Sequence, residues 1–179
     1  MAHRIHIVGA SGSGTSTLGR SVAGRIRGKF LDTDDFYWLP TEPPFTQKRP
    51  IPERIQMIGQ AVESVEEWVL SGSLVSWGGP IERWFTLVVF LELDAEIRLQ
   101  RLRDRERERY GGRIEEGGDM YDAHLAFIEW AGRYDDPGAT VRSRRMHEAW
   151  LATLSCTILR LDAAAPVEKL CDGVVAELP

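Results

Sequence analysis

The chain has 179 residues, 43% of them hydrophobic and 27% charged, a composition typical of an ordinary folded domain and not of a disordered or membrane-embedded chain. Its formal net charge of -5 disfavours a nucleic acid partner, because the surface as a whole repels polyanions. Only three of the 22 basic residues are lysines, Lys29, Lys48 and Lys169, so arginine is the expected ligand wherever an anion binds.

The cysteines and the apolar runs favour a reducing, aqueous environment. Cys156 and Cys171 lie in apolar segments without a CxxC or histidine companion, so we expect buried free thiols and not a metal site. No apolar run approaches the ~18 residues of a membrane span, and the first residues enter a short strand without the apolar core of a signal peptide. These features predict a cytoplasmic protein without a membrane partner.

Five short apolar runs predict the strands of one sheet. Turn-forming residues bound each run, and the apolar positions are continuous and not alternating, which is typical of parallel strands covered on both faces. The predicted strands are residues 4–8, 29–32, 68–71, 86–93 and 156–161.

Segments with helical periodicity lie between these runs. Pro52, Asp94 and Pro166 mark helix starts. The stretches "FIEWAGRYDD" and "VRSRRMHEAW" predict two more helices before the last strand. This alternation of strands and helices predicts a three-layer α/β domain. Residues 36–50 and 109–118 fit neither pattern, and we interpret both as mobile or substrate-facing loops.

The stretch "GASGSGTSTLG", residues 9–19, follows the first predicted strand and opens a helix. In the phosphate-binding pattern G-x-x-x-x-G-K-[ST], glycines let backbone N–H groups surround a phosphate, and the helix adds its positive N-terminal end. Ser16 occupies the hydroxyl position that binds Mg²⁺, whereas Thr15 stands where the pattern has lysine. The predicted nucleotide-binding residues of this loop are Gly9, Ser11, Gly12, Ser13, Gly14, Thr15, Ser16 and Thr17.

The absent lysine leaves alternatives open. A glycine-rich turn that binds nothing is one interpretation of the loop. The position of the loop favours nucleotide binding, because the mechanism requires a strand before it and a helix after it. Threonine cannot supply the charge that lysine places on the β- and γ-phosphates. Either another cation, most plausibly an arginine, reaches the phosphates, or the site binds nucleotide and catalyses poorly.

Four motifs together resemble the P-loop small-molecule and nucleoside-monophosphate kinases, the group that contains adenylate and shikimate kinases. They are the loop, "FLDTDD" at the second strand, "WVLSGS" at the third, and "VVFLELDAEIRLQRLRDRERERYG" from the fourth strand into an arginine-rich helix. These sequence motifs are also similar to those of bacterial proteins described as adenylate kinases or topology-modulation proteins. The resemblance implies a single P-loop NTPase domain over residues 1–179, with a five-stranded parallel sheet, helices on both faces and a small lid.

By this resemblance, the run "DTDD" places Asp32 and Asp34 at the carboxyl end of the second strand, beside the loop. One carboxylate would hold Mg²⁺ through water, and the other would orient or deprotonate an acceptor hydroxyl. We assign Asp34 to catalysis and, with Ser16, to the metal. The alternative is that these acids only cap a helix that begins near Asp35.

The same resemblance gives roles to the arginine-rich helix. Arg101 would lie against the nucleotide base and Arg105 would point at phosphate, while residues 106–118 form the lid. Closure of the lid would deliver Arg105 or Arg109 as the cation that the loop lacks. The lid candidates are Arg107, Arg109 and Arg113. The alternative is a solvated helix face of paired charges, which we favour for Arg103 and Arg107.

The acceptor is expected between residues 36–67 and the stretch "SGSLVSWGG". Its predicted binding residues are Asp32, Arg49, Arg54, Gly72 and Ser73. Lys48 and the two arginines can hold an anion, and the glycine permits a close backbone approach. Trp38, Phe45 and Trp77 either stack on a ring of the acceptor or pack in the core. Arg133, Arg142 and Arg145 either face the cleft or lie on solvated helix faces, and we favour the solvated interpretation because only chain order points them inward. We assign the four histidines no role.

Taken together, the motifs predict a phosphotransferase that moves the γ-phosphoryl group of ATP, with Mg²⁺, to a small-molecule acceptor, plausibly a nucleoside monophosphate. Thr15 keeps two alternatives open: a nucleotide-binding module with little or no turnover, and a nucleotide hydrolase.

Overall fold

The computed structural model describes residues 2–136, 138 and 142–178. Five parallel strands form one sheet in the order β2-β3-β1-β4-β5. The strands are β1 (Arg4–Gly9), β2 (Lys29–Asp32), β3 (Trp68–Ser71), β4 (Leu87–Glu92) and β5 (Thr157–Asp162). Each predicted strand is confirmed, with its ends shifted by at most one residue, because continuous apolar runs specify buried strands locally.

Eight α-helices connect and cover the strands within the described ranges. They are α1 (Thr15–Ile26), α2 (Thr33–Tyr37), α3 (Ile51–Val62), α4 (Gly79–Glu82), α5 (Ala95–Tyr110), α6 (Tyr121–Gly132), α7 (Arg144–Leu151) and α8 (Val167–Ala176). Short 3-10 helices follow at Gly111–Ile114 and Arg133–Asp135. The Asp94 carboxylate caps α5 as predicted, accepting from the backbone N–H groups of Glu96 and Ile97. Val141, with which one predicted helix began, lies outside the described residues.

The sheet separates two apolar cores. Leu18 and Val22 of α1 and Val174 of α8 pack on one face of the sheet. Ile58 of α3 and Leu151 of α7 pack on the other. This arrangement confirms the three-layer α/β architecture.

Two expectations about burial are wrong. The edge strands β2 and β5 are only partly covered, whereas β3 is buried throughout. Sequence alone does not specify which strands lie at the edges, so continuous apolar character overstated their burial. Both cysteines are free thiols, but only Cys171 is buried; Cys156 is partly exposed. Among the described residues, no helix combines the length and apolar character that a bilayer crossing requires.

The strand order places the loop of residues 9–16 at a reversal in the sheet. β1 lies at the centre, between β3 and β4. The connection that follows β1 runs to β2 on one side of the sheet, whereas the connection that follows β4 runs to β5 on the other side. The carboxyl ends of β1, β2 and β3 are in register, with Asp32 opposite Ser71 and Ser71 opposite Ile7. In open α/β sheets, ligands bind in the crevice at such a reversal.

Two histidines are completely buried. His6 of β1 stacks on Phe85 at a centroid distance of 4.8 Å, and its Nδ1 lies 2.9 Å from the Leu70 carbonyl oxygen. His147 of α7 lies between Tyr134 and Ser73. Burial lowers the pKa of each imidazole to about 3, because the charged form would lose its hydration. Both rings are therefore neutral at physiological pH.

We expect the free energy of unfolding to fall as the pH is lowered from about 6.5 towards 3. In that window the unfolded chain binds protons on His6 and His147, whose pKa values there are about 6.5, while the folded chain does not. Each histidine then contributes a slope of up to about 1.4 kcal/mol per pH unit. Urea unfolding between pH 7.5 and 5 measures the slope, and His6→Asn, which retains an N–H donor, should reduce it. An identical slope in wild type and variant would contradict this account.

Candidate nucleotide and acceptor site

The loop of residues 9–16 passes tightly under the start of α5. Gly12 has φ +84°, and a Cβ there would lie 2.5 Å from the Arg98 carbonyl oxygen, so only glycine fits. The loop ends at Gly14, the N-cap of α1, where no side chain caps the helix and the space above is open. The first N–H groups of α1 are therefore available to an anion, as the phosphate-binding pattern requires.

Arg98 of α5 fixes the shape of the loop. Its fully buried guanidinium donates to the carbonyl oxygens of Leu93, at 3.2 Å, and Ser11, at 3.4 Å. It also forms a 2.7 Å ion pair with Asp135. The Ser71 hydroxyl of β3 donates to the Thr15 carbonyl oxygen at 2.9 Å. Loop geometry thus depends on contacts from β3 and α5, and the residue after β4 and the 3-10 helix at Arg133–Asp135 hold the α5 arginine in place.

The Ser16 hydroxyl donates to the Asp32 carboxylate at 2.7 Å, which joins the start of α1 to the end of β2. The other carboxylate oxygen of Asp32 accepts from the Asp34 backbone N–H at 3.1 Å and caps α2, which begins at Thr33 and not near Asp35. Asp32 and not Asp34 is therefore the carboxylate bonded to Ser16. Asp32 therefore both caps α2 and contacts the loop through Ser16.

This pair of oxygen donors fits Mg²⁺. Within the residues that the structure describes, no group of three or more His, Cys, Asp or Glu side chains could hold a metal ion by itself. Mg²⁺ prefers hard oxygen ligands and commonly takes one or two protein oxygens together with the phosphates of a nucleotide. The Ser16 hydroxyl and the Asp32 carboxylate are donors of that kind.

Asp34 lies next to this pair, at the solvent-exposed surface of the cleft. Surrounding protein atoms raise the pKa of its carboxyl by desolvation, and the neighbouring Asp32 carboxylate raises it further. Arg142, the Trp38 side chain and Arg105 act in the opposite direction. A carboxylate with a raised pKa is a stronger proton acceptor than an ordinary aspartate.

Arg142 reaches the loop from a distant part of the chain. Its Nη2 donates to the Ser11 hydroxyl at 2.8 Å, and its guanidinium carbon lies 4.7 Å from the ring centroid of Trp130. The favoured sequence interpretation, a solvated helix face, is wrong for Arg142: its side chain contacts the loop, and its charge lowers the pKa of the Asp34 carboxyl. Arg145 is exposed on α7, and Arg133 is exposed with its Nε 4.0 Å from Asp136.

The arginines of α5 occupy different environments. Arg101 donates to the Ala163 carbonyl oxygen after β5 at 3.5 Å. Arg105 is half exposed, lies 3.3 Å from Glu106 and is close enough to influence Asp34. Arg109 is exposed beside Tyr110. Arg107 pairs with Asp104 at 3.5 Å on the solvated helix face.

The segment after α5 touches the loop after α2. Arg113 forms ion pairs with Asp119 at 2.7 Å and with Glu42 at 2.6 Å. Residues 36–50 begin inside α2 and continue as a loop closed by a bridge between Trp38 and Lys48. The predicted lid and the predicted acceptor region are thus in contact.

Arg54 occupies the acceptor side. Its guanidinium lies 3.8 Å from the Tyr37 ring centroid and 5.3 Å from that of Trp77. The Nε donates to the Arg49 carbonyl oxygen at 2.6 Å, while neither terminal nitrogen bonds to another described residue. Arg49 itself donates to the Phe36 and Trp38 carbonyl oxygens and holds the loop. The two arginines therefore differ in their free hydrogen-bond donors: Arg49 uses its donors on backbone carbonyl oxygens, whereas the terminal nitrogens of Arg54 remain available.

Gly72 and Ser73 shape the wall beside Arg54. Gly72 has φ +108°, and a Cβ there would collide with the Thr33 hydroxyl, so glycine brings the ends of β2 and β3 together. The Trp77 indole N–H donates to the Ser73 carbonyl oxygen at 3.0 Å. The Ser73 hydroxyl lies 3.1 Å from His147 Nε2, and His147 Nδ1 lies 2.7 Å from the Tyr134 hydroxyl. A buried chain thus links this wall to the residue before Asp135.

Sequence reasoning missed Arg98, Arg142 and His147. Arg98 had a usable signal, because Arg98, Leu102 and Glu106 recur every four residues and form the buried stripe of α5. The other two make contacts across 131 and 74 residues of chain, which no local pattern specifies.

Comparison with known sequences places the chain in a family. A family model described as an AAA domain matches residues 5–121. The uncharacterized protein YqaC of Bacillus subtilis (strain 168) is 45% identical over 175 residues, which cover 98% of this chain and 97% of that protein.

Solved structures with the same fold include two small-molecule kinases. A shikimate kinase from Bacteroides thetaiotaomicron superposes with a TM-score of 0.61 at 18% identity. The superposition covers 99% of this chain and 100% of the shikimate kinase chain. A gluconokinase from Sinorhizobium meliloti 1021 gives a TM-score of 0.55 at 21% identity, covering 98% and 90%. At such identities the likeness shows the shared fold, a five-stranded parallel sheet with covering helices. Because the family model spans most of the chain, including the loop and both aspartates, the protein belongs to the AAA domain family and has a P-loop kinase-like fold.

Proposed function

We propose that this protein transfers the γ-phosphoryl group of ATP to a hydroxyl of a small anionic acceptor. The observation that carries the proposal is the hydrogen bond from the Ser16 hydroxyl to the Asp32 carboxylate at the start of α1, with the Asp34 carboxyl close enough to Asp32 for the two charges to interact. Phosphoryl transfer depends on positioning and charge neutralisation, with a carboxylate near the attacking hydroxyl. The glycines of the loop, the α1 terminus, the Ser16 and Asp32 oxygens and the neighbouring Asp34 are the groups that such a reaction would use.

Mg²⁺ would bind to Ser16 and Asp32 together with the nucleotide phosphates, and when bound it neutralises charge on the transferring group. Asp34 is then free to accept the proton of the acceptor hydroxyl, which its raised pKa favours. Ser11, Gly12, Gly14 and Thr17 would contribute donors to the phosphates. Arg101 would contact the base, since it lies beside the turn after β5.

Arg54 is the proposed anchor for the anionic group of the acceptor. Its position between two aromatic rings orients the guanidinium, and its terminal nitrogens suit a carboxylate or a phosphate. A nucleoside monophosphate, the acceptor that the sequence motifs favour, carries such a group. A hydroxy carboxylic acid also does, and two structural neighbours are named for shikimate and glucono substrates.

Residues 106–118 are the proposed lid, and the first five of them continue α5. Their contact with the acceptor loop through Arg113 and Glu42 would bring the two together over the cleft. Closure of this kind excludes water from the reacting phosphate.

Thr15 favours a second candidate function, a nucleotide-binding module with little turnover. Such a module would retain the loop and the contact between Ser16 and Asp32, because both serve binding. The two functions differ in whether bound ATP is turned over with an acceptor, so a measurement of acceptor-dependent turnover separates them.

Ligand binding and turnover test the proposal directly. We expect ATP with Mg²⁺ to raise the melting temperature, because a ligand that binds only the folded state stabilises it by mass action. The panel should include GTP, ADP, nucleoside monophosphates, shikimate and gluconate, followed by measurement of ADP release with each acceptor that binds. No shift with any nucleotide would contradict nucleotide binding. Binding without acceptor-dependent ADP release would favour the binding module.

Replacement of Asp34 separates catalysis from binding. We expect Asp34→Asn to lower kcat by about 10² to 10⁴, because the amide cannot accept the proton of the acceptor hydroxyl. The Kd for ATP should change little. Asp35→Asn is the matched control, since Asp35 is an exposed neighbour on α2. Equal rates for Asp34→Asn and Asp35→Asn would exclude Asp34 as the base.

Replacement of Arg54 tests the acceptor anchor. We expect Arg54→Gln to raise the KM for the acceptor by about 10- to 100-fold, because a charge-assisted contact is lost. The KM for ATP should stay near that of the wild type, and Arg83→Gln, an exposed arginine beside Trp84, is the control. A rise in the KM for ATP instead would assign Arg54 to the nucleotide.

A further inference from the structure

The loop lacks the positive charge that would balance the terminal phosphate of a bound nucleoside triphosphate. A bound nucleoside triphosphate concentrates negative charge on its terminal phosphate, and Thr15, at the position where the pattern has lysine, brings none to balance it. A cation that supplies this charge must reach the terminal phosphate, and one that already contacts the loop is in place before a lid closes. Among the described residues, three arginine side chains bond to the loop: Arg20 to the Ser16 carbonyl oxygen at 3.5 Å, and Arg98 and Arg142 to Ser11. Arg20 is exposed on α1 and its bond runs back along its own helix, so Arg98 and Arg142 are the two candidates that reach the loop from elsewhere in the chain.

Arg98 is already neutralised. Its buried guanidinium bonds to Asp135 at 2.7 Å and to two carbonyl oxygens, so its donors are directed at protein groups. Although Asp135 is partly exposed, Arg98 is fully buried, so opening the pair would leave the guanidinium charge without hydration. Arg98 therefore positions the loop and does not serve an external phosphate.

Arg142 has a different environment. It forms no ion pair with any carboxylate in residues 2–136, 138 and 142–178, and its Nε is buried without a hydrogen-bond partner there. Its bond to the Ser11 hydroxyl and its contact with the Trp130 ring hold the guanidinium against the loop at Ser11. A partly dehydrated, oriented cation with unused donors is suited to bind phosphate oxygens.

The other arginines near the cleft are less suited to this role. Arg105 is half exposed and contacts Glu106 at 3.3 Å, and Arg113 and Arg144 each bond to two carboxylates. Arg142 bonds to the loop at Ser11, and its charge also lowers the pKa of the Asp34 carboxyl, the proposed base. A transferring phosphoryl group has to lie near both the loop and the base, and Arg142 acts on both.

We infer that Arg142 supplies the charge missing at Thr15, by contacting the terminal phosphate of the bound nucleoside triphosphate. The inference rests on the proposed function, since it requires a triphosphate in the loop. It assigns the cation to a residue present before lid closure, and not to Arg105 or Arg109 arriving with the lid. Arg142 then acts on the triphosphate much more than on a diphosphate.

A double-mutant cycle tests the inference by calorimetric binding of two probes with Mg²⁺, the β,γ-imido analogue of ATP and ADP. We expect Arg142→Ala to weaken binding of the imido analogue by at least about tenfold and of ADP by less than about threefold. Thr15→Lys, introduced into Arg142→Ala, should restore most of the affinity for the imido analogue. In the wild-type background the same substitution should add much less, because the charge is already supplied.

Two further variants separate charge from folding. Arg142→Lys keeps the charge and should retain most of the affinity for the imido analogue, while Arg145→Ala, at an exposed position on α7, should bind both probes as the wild type does. Equal losses for the two probes, or an equal effect of Thr15→Lys in both backgrounds, would overturn the inference, since Arg142 would then only maintain loop shape. If the wild type bound neither probe, the proposed function would fail instead. Should Arg142→Ala not fold, Arg142→Lys and Thr15→Lys alone decide between these outcomes.

Discussion

The buried guanidinium of Arg98 is the contact on which the arrangement of the cleft depends. It joins three separate stretches of chain: the loop after β1, the end of β4 and the 3-10 helix that carries Asp135. Removing one partner of a buried ion pair typically costs about 3–5 kcal/mol, a large fraction of the stability of a domain. The loop therefore keeps its shape before any ligand binds, which is the condition for a preorganised phosphate site.

The same contact extends towards the acceptor side. Asp135 also accepts from Arg144, which reaches Glu92 at the end of β4. Tyr134 precedes Asp135 and bonds to His147, whose other ring nitrogen lies against Ser73. Because His147 is neutral, each ring nitrogen has a single role, one as donor and the other as acceptor. The walls of the cleft are thus joined through the interior and not only through the backbone.

Local patterns were sufficient for the strands, the loop, the cap at Asp94 and the two acids after β2, because each depends on residues adjacent in sequence. They were insufficient for the partly exposed edges of β2 and β5, which follow from strand order. They also left the arginines undecided, since nineteen similar side chains cannot be ranked without knowing which reach the cleft. The absent lysine implied that some arginine contacts the loop, but the contact between Arg142 and Ser11 joins positions 131 residues apart.

The setting of Arg54 has a consequence for the conformational entropy of binding. A free arginine side chain loses about 2 kcal/mol of rotamer entropy when it is immobilised. Here Tyr37, Trp77 and the Arg49 carbonyl oxygen already restrict the side chain in the folded protein. That loss therefore belongs to folding and is not repeated when an anion arrives. For the acceptor anion that we propose at Arg54, nearly the whole of the interaction with the guanidinium would remain as binding free energy, and this would favour small, rigid anions over large flexible ones.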